Sequence, residues 1–328
     1  MEEVGLATIE AAARRIAGSV RHTPVERSAS LSERVGVPVH LKLEHRQETG
    51  AFKLRGATNA VLSLSDAERK RGVVAASTGN HGRALAHAAK KAGARCVVCL
   101  SNLVPANKRD AITALGAELC VVGRSQDDAQ REVDRLVETE GMVPVPPFDH
   151  PAVVAGQGTI GLEIVESVPD VETVLVPLSG GGLIAGVAAA VKARRPRARI
   201  VGVSMRRGAA MQASLAAGHP VEVEELATLA DSLGGGIGLD NRLTFRMVRD
   251  LVDEVVLLTE AEIAAGMRHA YFEEREIVEG AAAVGIAALI AGKVAAGGPV
   301  VALVSGRNVA MDLHARIVAG ANSLEEAA

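Results

Sequence analysis

The sequence predicts an α/β protein of two lobes, each a twisted, mostly parallel sheet with flanking helices. Three observations carry that expectation. The chain has 328 residues, more than one small core can organise. From Gly72 onward, short apolar β-prone runs alternate with helical stretches, the rhythm of right-handed βαβ units. Pro144, Pro146 and Pro147 interrupt that alternation before a second block of it begins, so Pro144–Pro151 reads as a domain boundary.

Composition bounds the rest. Hydrophobic residues make up 48% and aromatics 2%, so Ala, Val, Leu and Ile must fill the cores. A net charge of −3 argues against nucleic acid and anionic membrane as partners. No apolar run reaches the roughly 18–20 residues that span a bilayer, and the acidic start Met1-Glu2-Glu3 is unlike a signal peptide. The cysteines, Cys96, Cys99 and Cys120, are odd in number, which fits a reducing cytoplasm. Cys96 and Cys99 share one apolar run. An odd offset on a strand points side chains to opposite faces, so both are expected in the core and not as a metal or redox pair.

In chain order, Thr8–Val20 is expected to be a helix with Thr8 as its N-cap, ended by His22-Thr23-Pro24, which opens an extended segment. Val37–Glu44 is a β-rich run, and Ala51–Leu62, rich in Ala and Leu, reads as a helix with Lys53 near its start. Strands Val73–Ser77, Arg95–Leu100, Glu118–Val122 and Met142–Val145 then alternate with helices Asn80–Ala92, Ala106–Leu115 and Gln126–Thr139. Beyond the prolines come helix Val153–Val168, strand Thr173–Leu178, helix Gly182–Ala193 and strand Arg199–Ser204. A Gly-rich irregular stretch occupies Leu233–Leu239. Strands Val255–Leu258 and Val300–Ser305 lead to a closing helix near Val309–Ala319.

Ligands in such folds gather at the carboxyl ends of parallel strands, and three of those ends are unusual here. Ala76-Ser77-Thr78-Gly79-Asn80-His81-Gly82 carries more polar side chains than a helix cap needs, and the helix it starts would favour an anion. Leu178-Ser179-Gly180-Gly181-Gly182-Leu183 has three glycines, whose N–H groups can nest a phosphate at an entropic cost that a plain turn does not require. Leu303-Val304-Ser305-Gly306-Arg307-Asn308 presents Ser305 at a strand end, as a helix cap or toward a ligand. Lys53 by itself reads as an ordinary surface charge.

Together these segments resemble the threonine dehydratase and serine racemase group of fold type II pyridoxal-phosphate enzymes, whose fold is of the tryptophan synthase β kind. The likeness runs from Arg21-His22-Thr23-Pro24 through the stretch Gln47–Ala57, Ala155-Gly156-Gln157-Gly158-Thr159 and Thr228-Leu229-Ala230-Asp231 to Ser305-Gly306-Arg307-Asn308. It implies a large cofactor-binding domain of residues 1–63 and 149–328 and a small substrate-carboxylate domain of residues 64–148. It implies that Lys53, beside Phe52, holds pyridoxal 5'-phosphate as a Schiff base and moves the proton at the substrate Cα. By the same resemblance Asn80 meets the ring oxygen, and Ser179, Gly180, Gly181, Gly182 and Leu183 hold the phosphate. Ser305 meets the pyridine nitrogen, Glu279 lies at the cofactor, and Ser77, Thr78, Gly79 and His81 take the substrate carboxylate. Thr78 stands where serine racemase has its second acid–base group, and joins Lys53 as a candidate catalytic residue.

A neutral serine at the pyridine does not enforce ring protonation, which favours loss of a β-leaving group. The expected reaction is α,β-elimination of water from a β-hydroxy amino acid, giving a 2-oxo acid and ammonia. A homodimer fits the family. Departures from the family pattern carry expectations of their own. Ser204 and Ala210 stand where its divalent-cation site has carboxylates, so no metal is expected there. Arg307 is expected to put a bulky cation near the cofactor, Ser232 follows Asp231 where glycine is usual, and Arg83 stands where glutamine is common. The regulatory domain of biosynthetic threonine dehydratases is not seen, so feedback by isoleucine is not expected.

Within the group, His45-Arg46-Gln47, Ser204-Met205-Arg206-Arg207 and the stretch Asp231–Gly236 resemble the hydroxyectoine-utilisation dehydratases, which implies a hydroxylated diaminobutyrate as substrate. Taken singly, Arg46, Arg206 and Arg307 read as surface charges. A general threonine/serine dehydratase, or a racemase activity as a side reaction, is the alternative. Gly180-x-Gly182-x-x-x-Gly186 between two strands also imitates an NADP-binding unit, but that reading leaves Lys53 and the asparagine loop unexplained. A non-enzymatic sensor would bind an amino acid without releasing ammonia.

Overall fold

The computed structural model describes residues 4–77, 79–104 and 106–327. In chain order its strands are β1 (Val25–Ser28), β2 (Val39–Leu43), β3 (Val73–Ala76), β4 (Cys96–Leu100), β5 (Glu118–Val121), β6 (Val143–Pro144), β7 (Thr173–Pro177), β8 (Arg199–Met205), β9 (Glu254–Leu258) and β10 (Val300–Val304). They form two sheets. The larger runs β1-β2-β10-β7-β8-β9 and is parallel except where β1 pairs antiparallel with β2. The smaller runs β5-β4-β3-β6 and is parallel throughout.

Each sheet reverses direction once at a strand that matters. β7, β8 and β9 step toward one edge while β10 lies on the other side of β7; β3, β4 and β5 do the same while β6 lies beyond β3. A crevice opens at the carboxyl ends of strands where the order reverses. The segments found there are residues 178–182 after β7, 305–308 after β10, 77, 79 and 80 after β3 and 147–149 after β6.

β3, β4, β7 and β10 are buried along their whole length, as coverage by helices on both faces requires. Cys96 packs with Val73 and Ala75 on one face of the small sheet, and Cys99 with Val74 and Ala76 on the other. Burial pushes both thiols up to about 12, so they are inert core residues. With few aromatics to fill space, helices instead approach closely. A Cβ at Gly186 in helix Gly182–Arg194 would lie 2.3 Å from the carbonyl of Val154 in helix Pro151–Ser167.

The first helix is Leu6–Ile16 and not the longer span expected. Thr8 lies inside it, where its hydroxyl accepts from Gly5 N at 3.0 Å and donates to Gly5 O at 2.8 Å. A further helix, Ala29–Val35, capped by Ser28, was not foreseen. Among the described residues no helix is long and apolar enough to cross a membrane.

Candidate active site

A cavity of about 620 Å³ lies between the two sheets and collects all four of these segments. Lys53 opens helix Lys53–Ser63 on its wall. The approach to the lysine is stitched to the end of β10: Ala51 bridges Gly306, and Phe52 N donates to Ser305 O at 3.0 Å. Lys53 Nζ donates to Pro147 O at 2.7 Å and lies 5.3 Å from the centroid of the Phe52 ring. Burial pushes its pKa down to about 8, because no carboxylate offsets the lost hydration.

Behind this lysine is a buried ionic cluster. Arg55, 1% exposed, donates from Nε and Nη2 to the Glu44 carboxylate, each at 2.8 Å, and from Nη1 to Glu163 at 2.6 Å. Lys42 joins it, bonding Glu163 and donating to Thr23 O at 2.7 Å. Two cations thus meet two carboxylates. Burial would raise the Glu44 carboxyl, but the Arg55 guanidinium outweighs it and holds the group below the usual range.

The turn after β7 is made of backbone. Gly181 sits at φ +87°, a left-handed conformation that disfavours any Cβ, and caps helix Gly182–Arg194 without a side chain. The Phe148 ring closes over it so tightly that a Cβ at Gly180 would come within 2.4 Å of the ring, while Thr244 Oγ1 donates to Gly180 O at 2.8 Å. The amides of Gly180, Gly181, Gly182 and Leu183 have no protein acceptor among the described residues. Bare first-turn amides on a fixed loop fit a phosphate group.

The turn after β3 is made of side chains. Ser77 Oγ accepts from Gly82 N at 3.0 Å, a first-turn amide of helix Asn80–Lys91, whose N-cap is Gly79. Asn80 Nδ2 donates to Glu279 Oε1 at 2.9 Å, and its Oδ1 accepts from Asn308 Nδ2 at 2.6 Å. Glu279 is 3% exposed and also accepts from Asn308 N at 2.9 Å. Burial, then the charge of Asp231, pushes its pKa up to about 7. His81 turns inward to Val145 O at 2.7 Å; burial, then Lys53, drives its pKa down to about 3. Its ring is therefore neutral and engaged, and what remains for an anion is its first-turn amide. Thr78 lies outside the described residues. Ser305 is buried at the end of β10 and lines the cavity.

One expectation is corrected. Arg307 is exposed and does not line the cavity. The Ala51–Gly306 bridge and the bond from Arg307 N to Gly50 O, 2.9 Å, turn its side chain to the surface and Asn308 inward. His45 and Arg46 also lie away from the cavity: His45 bonds Glu276 at 2.7 Å, and Arg46 pairs with Glu26 and Glu276. Ser204 is buried beside Met205, and Ala210 starts helix Ala210–Ala217. Among the described residues, no three His, Cys, Asp or Glu side chains gather as metal ligands. Residues 147–149 had been assigned to a boundary, yet they supply the Lys53 acceptor, the Phe148 lid on the glycines, and Asp149. Asp149 Oδ1 takes the Thr244 amide at 2.7 Å and so steadies the helix that reaches Gly180.

The sequence pattern of the pyridoxal-phosphate dependent enzyme family matches residues 16–306. A Sinorhizobium fredii protein carrying the provisional name threonine dehydratase is 62% identical over 321 residues, 98% of this chain and 97% of its own. The L-threonine ammonia-lyase of Thermotoga maritima is 40% identical, across 96% of this chain and 78% of its own. Among solved structures, maize serine racemase superimposes with a TM-score of 0.90 at 34% identity, covering 94% of this chain and 95% of that one. Threonine deaminase isoform 2 of Solanum lycopersicum gives 0.89 at 35% identity, covering 96% and 92%.

Proposed function

The chain belongs to the pyridoxal-phosphate-dependent enzymes, and from that premise we propose that it is a threonine dehydratase-like lyase removing water from a β-hydroxy amino acid. The observation that carries this reading is Lys53, a cleft-facing amine with a depressed pKa, set among the bare amides of residues 180–183, Asn80 and Ser305. When bound, the cofactor draws electrons from the substrate Cα. The rest falls to the chain's own residues.

In this reading the amides of residues 180–183 receive the phosphate, Asn80 Nδ2 the ring oxygen and Ser305 Oγ the ring nitrogen. Ser77, Thr78, Gly79 and the His81 amide receive the substrate carboxylate at the positive end of helix Asn80–Lys91. Lys53 Nζ takes the Cα proton. The Cβ–O bond breaks, and the hydroxyl leaves as water on gaining a proton. The released enamine takes up water and loses ammonia, leaving the 2-oxo acid.

For the substrate we infer a β-hydroxy amino acid with a second amino group, a hydroxylated diaminobutyrate of hydroxyectoine degradation. Supporting it, Ser232 and the glycines 234–236 line the cavity, and Asp127, Glu222, Glu225 and Asp231 add negative charge that the methyl group of threonine does not use. The test is release of 2-oxo acid and ammonia from threonine, serine, 3-hydroxyaspartate and hydroxylated diaminobutyrate, with chiral analysis of unreacted substrate. Elimination should dominate any racemisation, and the diamino substrate should have the highest kcat/KM. Lys53→Ala should abolish both activity and visible cofactor absorbance; a variant that keeps both sinks the assignment.

A further inference from the structure

We propose that Arg83 is a positioning residue for the cofactor's ring oxygen: acting through Asn308, it fixes which end of the Asn80 amide faces the cleft. The inference rests on the reading above, in which Asn80 meets that oxygen. An asparagine amide offers a donor at one end and an acceptor at the other, and only the donor end attracts an anionic oxygen. Some neighbour must therefore set its sense.

Arg83 lies one helical turn beyond Asn80, half-buried on the cavity wall. Its Nη1 donates to Asn308 Oδ1 at 3.2 Å. A guanidinium has donors only, so Asn308 must turn its oxygen toward Arg83 and its Nδ2 away. That Nδ2 donates to Thr49 O at 3.0 Å and to Asn80 Oδ1 at 2.6 Å. Asn80 Oδ1 is thereby occupied. One Nδ2 hydrogen of Asn80 goes to Glu279 Oε1 at 2.9 Å, and the other is left for the cleft. The chain of donors runs one way, from a cation to the ring oxygen. A glutamine at position 83 can donate or accept, and would leave that direction to Thr49 O and Glu279 alone.

Among the described residues Arg83 bonds Asn308 and forms no ion pair. Glu279 is the carboxylate whose charge it feels, and Glu279 is already bonded by Asn80 and by Asn308 N. The positive charge of Arg83 thus remains available to favour an anionic oxygen at Asn80.

The test uses apoprotein reconstituted with pyridoxal phosphate, comparing wild type with Arg83→Met, Arg83→Gln and Arg83→Lys. Arg83→Met should weaken cofactor affinity about tenfold and lower the ratio of visible to near-ultraviolet cofactor absorbance at neutral pH. The thermal midpoint should stay close to wild type. Arg83→Gln should show the same spectral change in smaller degree, and Arg83→Lys should recover part of the visible band. Wild-type affinity and band ratio in folded Arg83→Met overturn the proposal, and if that variant does not fold, the same result in Arg83→Gln does. A wild-type chain that develops no visible band on adding the cofactor defeats the functional reading itself, a separate outcome.

Discussion

Two helices point their amino ends into one cavity, and they are built in opposite ways. Helix Gly182–Arg194 begins on glycines, offers only backbone, and has its loop pinned from outside by Phe148 and Thr244. Helix Asn80–Lys91 begins among side chains, with Ser77 already on the Gly82 amide and Asn80 tied to Glu279 and Asn308. An anion at the first gains amides that nothing else occupies. An anion at the second joins a partly satisfied network. The first suits a resident phosphate, the second a substrate that comes and goes. A second contrast follows: the loop of residues 179–183 contains no titrating side chain, whereas the side-chain end holds Glu279 and His81.

The largest expected effect breaks the glycine end. Gly180→Ala sets a methyl against the Phe148 ring, and overpacking of that kind should weaken pyridoxal phosphate binding on the order of 100-fold in a titration of apoprotein. Wild-type affinity there would mean the loop is not the phosphate site.

Next comes pH, which should act at the other end and at Lys53. Glu279 has a pKa of about 7, above its unfolded value, so the folded state binds its proton more tightly than the unfolded state does. The Glu279 contribution to stability is then greatest below the unfolded pKa and is lost as pH rises to about 7, about 3 kcal/mol, while His81, held neutral with a pKa of about 3, contributes the opposite slope below its unfolded value. Urea unfolding across that window should show the Glu279 slope as the difference between wild type and Glu279→Gln, the variant gaining on the wild type as pH rises. Lys53 lies between the two ends. With its pKa at about 8, the neutral amine fraction grows with pH, so cofactor uptake by apoprotein should speed up about tenfold from roughly pH 7 to 9. A flat rate would show that deprotonation does not limit capture.

The smallest effect is Ser77→Ala, which removes a hydrogen bond to a first-turn amide, worth about 1 kcal/mol. It should raise KM for the amino acid severalfold while cofactor affinity holds. An equal loss of cofactor affinity would erase the division between the two helices.

What was legible in the sequence was what sits at a marked strand end. Asn80, the three glycines and Ser305 each lie in such a motif, whereas Lys53, an ordinary surface charge by itself, was legible only through the family resemblance, and the cavity brings all of them together. Residues 147–149 were not legible as a wall, because their prolines signal a break in the chain and say nothing of β6 returning to lie beside β3. Arg307 was expected inward where Asn308 is, since the choice depends on a bridge to Ala51 that no local pattern marks. Arg55 gave no signal at all: its partners are 11 and 108 residues away, and no periodicity links them.

That ionic cluster has a consequence for how the enzyme is assembled. Arg55 shares a helix with Lys53, yet its charge is matched only when β2 brings Glu44 and helix Pro151–Ser167 brings Glu163. Removing one partner of such a buried set costs about 3–5 kcal/mol, so a half-built molecule cannot hold this helix in place. The helix that carries the lysine is therefore held in place only with both partner segments docked on it. Visible colour should then vanish together with far-ultraviolet ellipticity as urea rises, making the bound cofactor a reporter of the whole chain's integrity.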